Sequence, residues 1–270
     1  MTRISPEDLA SIDGEIMAAA EATIPVIDDG LVRGDGAFEV IRVYSGGPYA
    51  MKEHLDRIER SATNLHMTWQ PDREQIEREA QALLEARGGA AFDGALRIML
   101  TAGRRRIMLT EPLPETPERA HLAFVTYSPS RILDGVKSLS YAANMLASRI
   151  ARERGFDEAL LVTPHGRVLE APTSTIFWVD ARGDIVTPPL DEHILASITR
   201  ARIIELTGAV ERPTTADELL EAREAFLAST TREVQSVAVI EDRDLGPVGE
   251  RTLQAADLLR QDIHATLDAA

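Results

Sequence analysis

The 270-residue chain contains no cysteine, which excludes disulfides, thiolate zinc sites and iron–sulfur clusters. Positive charge is scarce as well. With 29 Lys+Arg against 44 Asp+Glu the formal net charge is −15, which argues against a nucleic-acid partner. Arg104-Arg105-Arg106 is the one local exception. No apolar run approaches the length of a membrane span, and no membrane partner is expected. The opening Met-Thr-Arg-Ile-Ser-Pro-Glu-Asp lacks the apolar core of a secretory signal, so a cytoplasmic protein is expected.

Lysine is almost missing: Lys52 and Lys137 are the two in the chain, and arginine fills every other basic position. Arginine stays protonated in proteins, whereas a desolvated lysine can become a nucleophilic amine. Lys137 lies in an apolar run, Gly-Val-Lys-Ser-Leu-Ser-Tyr-Ala-Ala-Asn over 135–144, a setting that favours the neutral amine. On residue type alone, a surface lysine is the alternative.

The length accommodates two small domains or one large one. Ser5-Pro6-Glu7-Asp8 reads as a helix start, with a Ser cap and Pro in the first turn. A strand is expected at 37–44, turned back by Gly46-Gly47-Pro48. Apolar spacing predicts helices over 52–65 and 72–87. Strands are expected at 96–101 and 121–126, with a Pro-rich loop between them. The second half predicts a helix over 143–154 with a stripe of Leu146, Ala147, Ile150 and Ala151. Short strands at 158–163, 167–171 and 174–180 follow. Helices opening at Ser197 and spanning 216–222, a strand at 225–229 and a C-terminal helix at 251–267 complete the pattern.

Several residues converge on one chemistry. Lys137 supplies an amine able to form a Schiff base, and Glu170 is a carboxylate at a strand end. Ser197-Ile198-Thr199 places backbone N–H groups at a helix start, where anions bind. Ser229-Thr230-Thr231 leaves a strand with three hydroxyls in a row. An amine, a carboxylate and a phosphate site suit pyridoxal 5'-phosphate. No metal is implied.

In order and wording these segments resemble the class IV (fold-type IV) aminotransferases. The matching stretches are Arg33-Gly34-Asp35-Gly36-Ala37-Phe38-Glu39, His54-Leu55-Asp56-Arg57-Ile58, Lys137-Ser138-Leu139, Gly155-Phe156-Asp157-Glu158-Ala159-Leu160, Val168-Leu169-Glu170, Thr187-Pro188-Pro189, Ile198-Thr199-Arg200 and Ser229-Thr230-Thr231. The resemblance implies an α/β (α+β) fold of two domains, with the cofactor in the interdomain cleft. A small α/β domain is expected over 1–120, a linker over 121–135, and a larger domain with a β-rich core over 136–270. A homodimer is also implied. Lys137 would hold the cofactor and move the substrate Cα proton, and Glu170 would accept the pyridine N–H. Arg57, Ile198, Thr199, Ser229 and Thr230 would bind the phosphate, with Tyr141 beside the phenolic oxygen. Simpler alternatives are a helix-surface pair of Arg57 with Glu53 and a plain strand-end hydroxyl for Thr230.

Lys137-Ser138-Leu139, the strand 97–103 and Glu39-Val40 after Phe38 resemble D-amino-acid transaminases and aminodeoxychorismate lyases; branched-chain aminotransferases are a further possibility. A transaminase leaning to D-amino acids, with 2-oxoglutarate or pyruvate as 2-oxo acid, is expected. Its carboxylate recognition departs from the D-amino-acid pattern: Phe38 replaces a Tyr, and Ile107 and Leu109 replace an Arg-x-His pair. Arg104, Arg105 and Arg106 form either a substitute guanidinium fork or an exposed loop tip, and Arg33 is a further candidate. The supposed N-terminal helix would replace the family's usual opening strand.

Overall fold

A computed structural model describes residues 5–70 and 72–268. The chain divides into two compact units. One takes the chain through Glu115 together with Gly135–Tyr141 and the end of the C-terminal helix from Thr266; the other comprises Thr116–Asp134 and Ala142–Ala265. The segment 121–135 is therefore not a linker, because most of it belongs to the second unit and contains a sheet strand. Lys137 belongs to the first unit rather than to a domain running over 136–270. The reason is local bonding: Phe38 N–H donates to the Lys137 carbonyl, and Leu139 N–H to the Gly36 carbonyl.

The first unit contains β1 (Leu9–Ile12), β2 (Glu15–Ala18), the short α1 (Asp29–Val32), β3 (Gly36–Tyr44), β4 (Gly47–Pro48), α2 (Met51–Asn64), α3 (Arg73–Arg87), β5 (Gly94–Thr101) and β6 (Arg106–Glu111). Its sheet runs β2-β1-β6-β5-β3-β4 and is antiparallel throughout. Strand alternation sends Ile41, Val43, Leu96, Ile98, Leu100 and Met108 into a core with Leu55, Ile58, Ile76 and Leu83 of the two helices. Registered partners share a face, so Phe38, Met99 and Ile107 lie together on the opposite side with Val40, Arg97 and Leu109.

The expected helix at 5–8 is instead a turn leading into β1. The Asp8 carboxylate accepts Ser5 N–H, and Leu9 N–H bonds Thr110 Oγ1. Asp13-Gly14, with φ of 53° and 97°, closes the β1–β2 hairpin. The opening strand is thus present, and the chain does not depart from the family there.

The second unit contains β7 (Ala120–Thr126), α4 (Ala142–Glu153), β8 (Glu158–Val162), β9 (Thr175–Val179), β10 (Ile185–Thr187), α5 (Ile198–Thr207), β11 (Val210–Glu211), α6 (Ala216–Leu220), β12 (Glu224–Ser229), β13 (Glu233–Ile240), β14 (Arg243–Asp244) and α7 (Glu250–Asp268). The sheet order is β11-β10-β9-β12-β13-β7-β8, with β14 on β13. The β7–β8 pair is parallel, with α4 in the connection between them. Four strands, β10, β11, β13 and β14, were not expected from the pattern. Conversely, 167–171 makes only isolated bridges to Val162, Ser174 and Thr215. The buried face of α4 is Ala147, Ser148 and Ala151, while Leu146 is exposed. No helix among the described residues is long and apolar enough to cross a membrane.

The Arg-Gly-Asp-Gly motif owes its glycines to the Lys137 segment. Gly34 is left-handed at φ 67°, and a Cβ there would lie 2.9 Å from Ser140 Oγ. A Cβ on Gly36 would come within 2.2 Å of the Leu100 carbonyl and 2.7 Å of Leu139 Cδ1. Gly36→Ala should therefore displace residues 137–139 and lower stability by about 1–3 kcal/mol. Thermal unfolding checks this, and a wild-type melting temperature would contradict it.

Candidate active site

In the first unit Lys137 is anchored by its backbone. Its carbonyl accepts Phe38 N–H at 2.9 Å and its N–H donates to Ser61 Oγ at 3.1 Å. The half-buried amine lies 4.3 Å from the centroid of the Phe38 ring and 5.7 Å from that of Tyr141. These two rings meet edge to face at 5.3 Å. Phe38 and Tyr141 thus stand beside the amine.

One residue along β3, alternation turns Glu39 to the opposite face, under α2. Its carboxylate accepts Arg57 Nε at 2.7 Å, Arg57 Nη2 at 2.6 Å and His54 Nδ1 at 2.7 Å. His54, Arg57 and Ser61 share the buried face of α2, three to four residues apart. Arg57 is therefore a buried residue seated on Glu39 rather than a helix-surface one. Burial alone would raise the Glu39 carboxyl. The charge and hydrogen bonds of Arg57, with His54, override it and hold the pKa at about 2. For His54 the largest effect is burial, which lowers its pKa; Glu39 opposes it in part, and Arg57 and Lys137 add to the lowering. A neutral imidazole facing a carboxylate carries its proton on Nδ1.

In the sequence Arg97 is legible only as part of a strand. Its guanidinium forks onto Glu111, with Nε–Oε1 at 3.0 Å and Nη2–Oε2 at 2.9 Å, and lies 5.5 Å from the Phe38 ring centroid. The available signal was a charge inside the otherwise apolar run Leu96-Arg97-Ile98-Met99-Leu100. The arginine triplet is divided. Arg105 pairs with Asp13 at 2.6 Å and Arg106 forks onto Glu79 at 2.8 and 3.1 Å. Arg104 is exposed at a turn with φ 70°. Arg33 pairs at the surface with Asp29.

In the second unit Glu170 is half-buried between β8 and β9, and its Oε1 accepts Leu195 N–H at 3.1 Å. Nearby, burial first and the Glu170 charge second push the Tyr127 hydroxyl pKa up. Ser197 caps α5 by accepting Arg200 N–H. Ile198 and Thr199 occupy the first turn, where N–H groups have no partner within the helix. Ser229 ends β12 and accepts Arg232 N–H through Oγ, so Ser229 and Thr230 lie in the turn to β13. Arg232 braces that turn through a pair with the buried Glu158 at 2.6 Å. No group of three or more His, Asp or Glu suited to a metal occurs among the described residues.

The donor set fits pyridoxal phosphate by its chemistry: an amine for the aldehyde, a carboxylate for the ring N–H, and cationic, hydroxyl and first-turn amide donors for the phosphate. The fold agrees. A branched-chain aminotransferase from Thermoproteus uzoniensis, solved with norvaline, superposes with a TM-score of 0.86 at 26% identity, covering 97% of this chain and 96% of that one. These two α/β units define the fold-type IV architecture. The sequence profile described as Amino-transferase class IV matches residues 36–240. The chain belongs to that family and is a pyridoxal-phosphate-dependent class IV aminotransferase. A Methanocaldococcus jannaschii protein named for branched-chain-amino-acid aminotransfer is 33% identical over 89% of this chain and 91% of its own length. The D-alanine aminotransferase of Bacillus licheniformis is 28% identical over 87% and 89%.

The Glu39 cluster generates two predictions. Both pKa values are lowered by folding, so both groups stabilise the fold at higher pH. The Glu39 contribution is complete above its ordinary value of 4.5 and is lost as pH falls toward about 2. The His54 contribution begins to fade as pH falls below 6.5. Urea unfolding of Glu39→Gln should show a shallower acid limb than wild type, and an unchanged limb would contradict the assignment. Arg57→Ala should destabilise even the cofactor-free protein by about 3–5 kcal/mol, because it leaves a buried carboxylate uncompensated. Equal urea midpoints for mutant and wild type would refute this.

Proposed function

We propose that the enzyme transfers an amino group between an amino acid with an uncharged aliphatic side chain and a 2-oxo acid. Support comes chiefly from the surroundings of the Lys137 amine, which lies beside Phe38 on the face carrying Val40, Met99, Ile107 and Leu109. When bound, pyridoxal phosphate supplies an aldehyde that takes up the amino group and a ring that absorbs charge from the substrate Cα. In this proposal Lys137 holds the cofactor and then removes and returns the Cα proton. Glu170 accepts the pyridine N–H and keeps the ring nitrogen protonated. Arg57, the amides of Ile198 and Thr199, and the hydroxyls of Ser229 and Thr230 hold the phosphate. Tyr141 stands beside the phenolic oxygen, and Phe38 contacts the substrate.

Preference for D-amino acids is a second reading. Phe38-Glu39-Val40 and Lys137-Ser138-Leu139 favour it, as does likeness to a D-alanine aminotransferase. A homodimer is supported by the exposed apolar side chains Val26, Ile27, Leu31 and Val32 in one stretch. For the substrate α-carboxylate Arg104 is the member of the triplet that makes no ion pair among the described residues, and Arg33 is a second candidate.

A screen of paired D- and L-alanine, valine and leucine, alongside aspartate and lysine, tests the donor class. Aliphatic donors should convert the cofactor to its pyridoxamine form fastest; preference for the charged donors would overturn the reading. Release of pyruvate from aminodeoxychorismate without pyridoxamine would reassign the enzyme as a lyase. Arg104→Ala should raise the KM of the amino acid about ten- to a hundredfold. By contrast, Arg105→Ala and Arg106→Ala should lower stability and leave KM close to wild type; the opposite pattern would shift the carboxylate site to those residues.

A further inference from the structure

A substrate with a second carboxylate would look for a cation near the amine that reacts. On the Phe38 face that cation is Arg97: its guanidinium and the Lys137 amine contact the same ring, at 5.5 and 4.3 Å from the centroid. Arg105 and Arg106 are directed elsewhere, onto Asp13 and Glu79. Arg97, however, already has a carboxylate. Ala95 pairs with Glu111 and Arg97 with Leu109 across β5 and β6, so Arg97 and Glu111 are diagonal neighbours on one face. The fork between them is bidentate, with both bonds at 2.9–3.0 Å. Glu111 is 15% exposed and Arg97 28%, so the pair is only partly open to water.

We propose that Glu111 is a specificity-determining residue that occupies Arg97 and thereby disfavours dicarboxylic substrates. The proposal rests on the assignment of the Phe38 face to substrate. An incoming dicarboxylate must displace a carboxylate already seated in the geometry that a guanidinium prefers, and which is tethered to the next strand. A monocarboxylic 2-oxo acid with an aliphatic side chain meets no such competition. The same pair leaves the face with a neutralised cation instead of a positive charge, in keeping with its apolar neighbours.

The test compares holoenzyme of wild type, Glu111→Gln, Arg97→Met and the double variant. Acceptor kinetics are measured with 2-oxoglutarate and pyruvate, and glutarate, which cannot react, is titrated by calorimetry. In Glu111→Gln the ratio of kcat/KM for 2-oxoglutarate over pyruvate should rise by about tenfold or more, and glutarate should bind more tightly by a similar factor. Both gains should vanish when Arg97 is Met. A purely structural pair would lower both acceptors alike and leave the ratio and glutarate affinity unchanged, which overturns the proposal. Gains that persist without Arg97 overturn it too. If no variant transaminates either acceptor but glutarate still tightens in Glu111→Gln alone, the Glu111 assignment stands and the functional reading falls.

Discussion

The ionised carboxylate of Glu39 is the constraint on which the first unit is arranged. It lies fully buried in a strand that is otherwise apolar on that face, which would be prohibitive without compensation. Arg57 and His54 supply three charge-assisted bonds to it, and α2 can bring both only by presenting one face to β3. That same face carries Ser61, whose hydroxyl receives the Lys137 N–H. Docking α2 correctly for Glu39 therefore fixes the lysine as well. Phe38, the neighbour on the other side of the strand, closes the arrangement by donating its N–H to the Lys137 carbonyl.

This explains why a lysine distant in sequence belongs with the N-terminal strand and helix. The segment around Lys137 behaves as an added strand, bridging Ala37 to Ser138 and packed against Gly34 and Gly36. Glycine is needed at those positions because a Cβ would strike the segment or its neighbours. The arrangement delivers the amine to one face of the sheet and the Arg57–Glu39 pair to the other side of the same strand. In the second unit, a capped helix start and a turn braced by Arg232 and Glu158 present hydroxyls and amides suited to an anion.

Much of this was legible in the sequence. The scarcity of lysine singled out Lys137, helical spacing located α2 and α3, and the ordered motifs pointed to the family. What was missed has identifiable causes. Asp13-Gly14 is a hairpin signal, but Ser5-Pro6 imitates a helix cap and drew the N-terminus to the wrong class. β10 is three residues long, too short for periodicity, and β13 follows a hydroxyl-rich turn that masked its start. Glu39 and His54 were quoted within motifs, yet their pairing with Arg57 depends on strand alternation meeting a helix face, which no single segment reveals. Arg97 and Glu111 become neighbours only through the β5–β6 register. The arginine triplet looked like a unit because it is contiguous, but strand geometry sends its members to different partners.

The central claim is that Lys137 carries pyridoxal phosphate. Reduction of the holoenzyme with borohydride fixes the cofactor covalently on the amine that holds it, and peptide mass spectrometry then locates it. The account predicts a single pyridoxyl group on Lys137. Its appearance on Lys52, or on no lysine at all, would contradict the account.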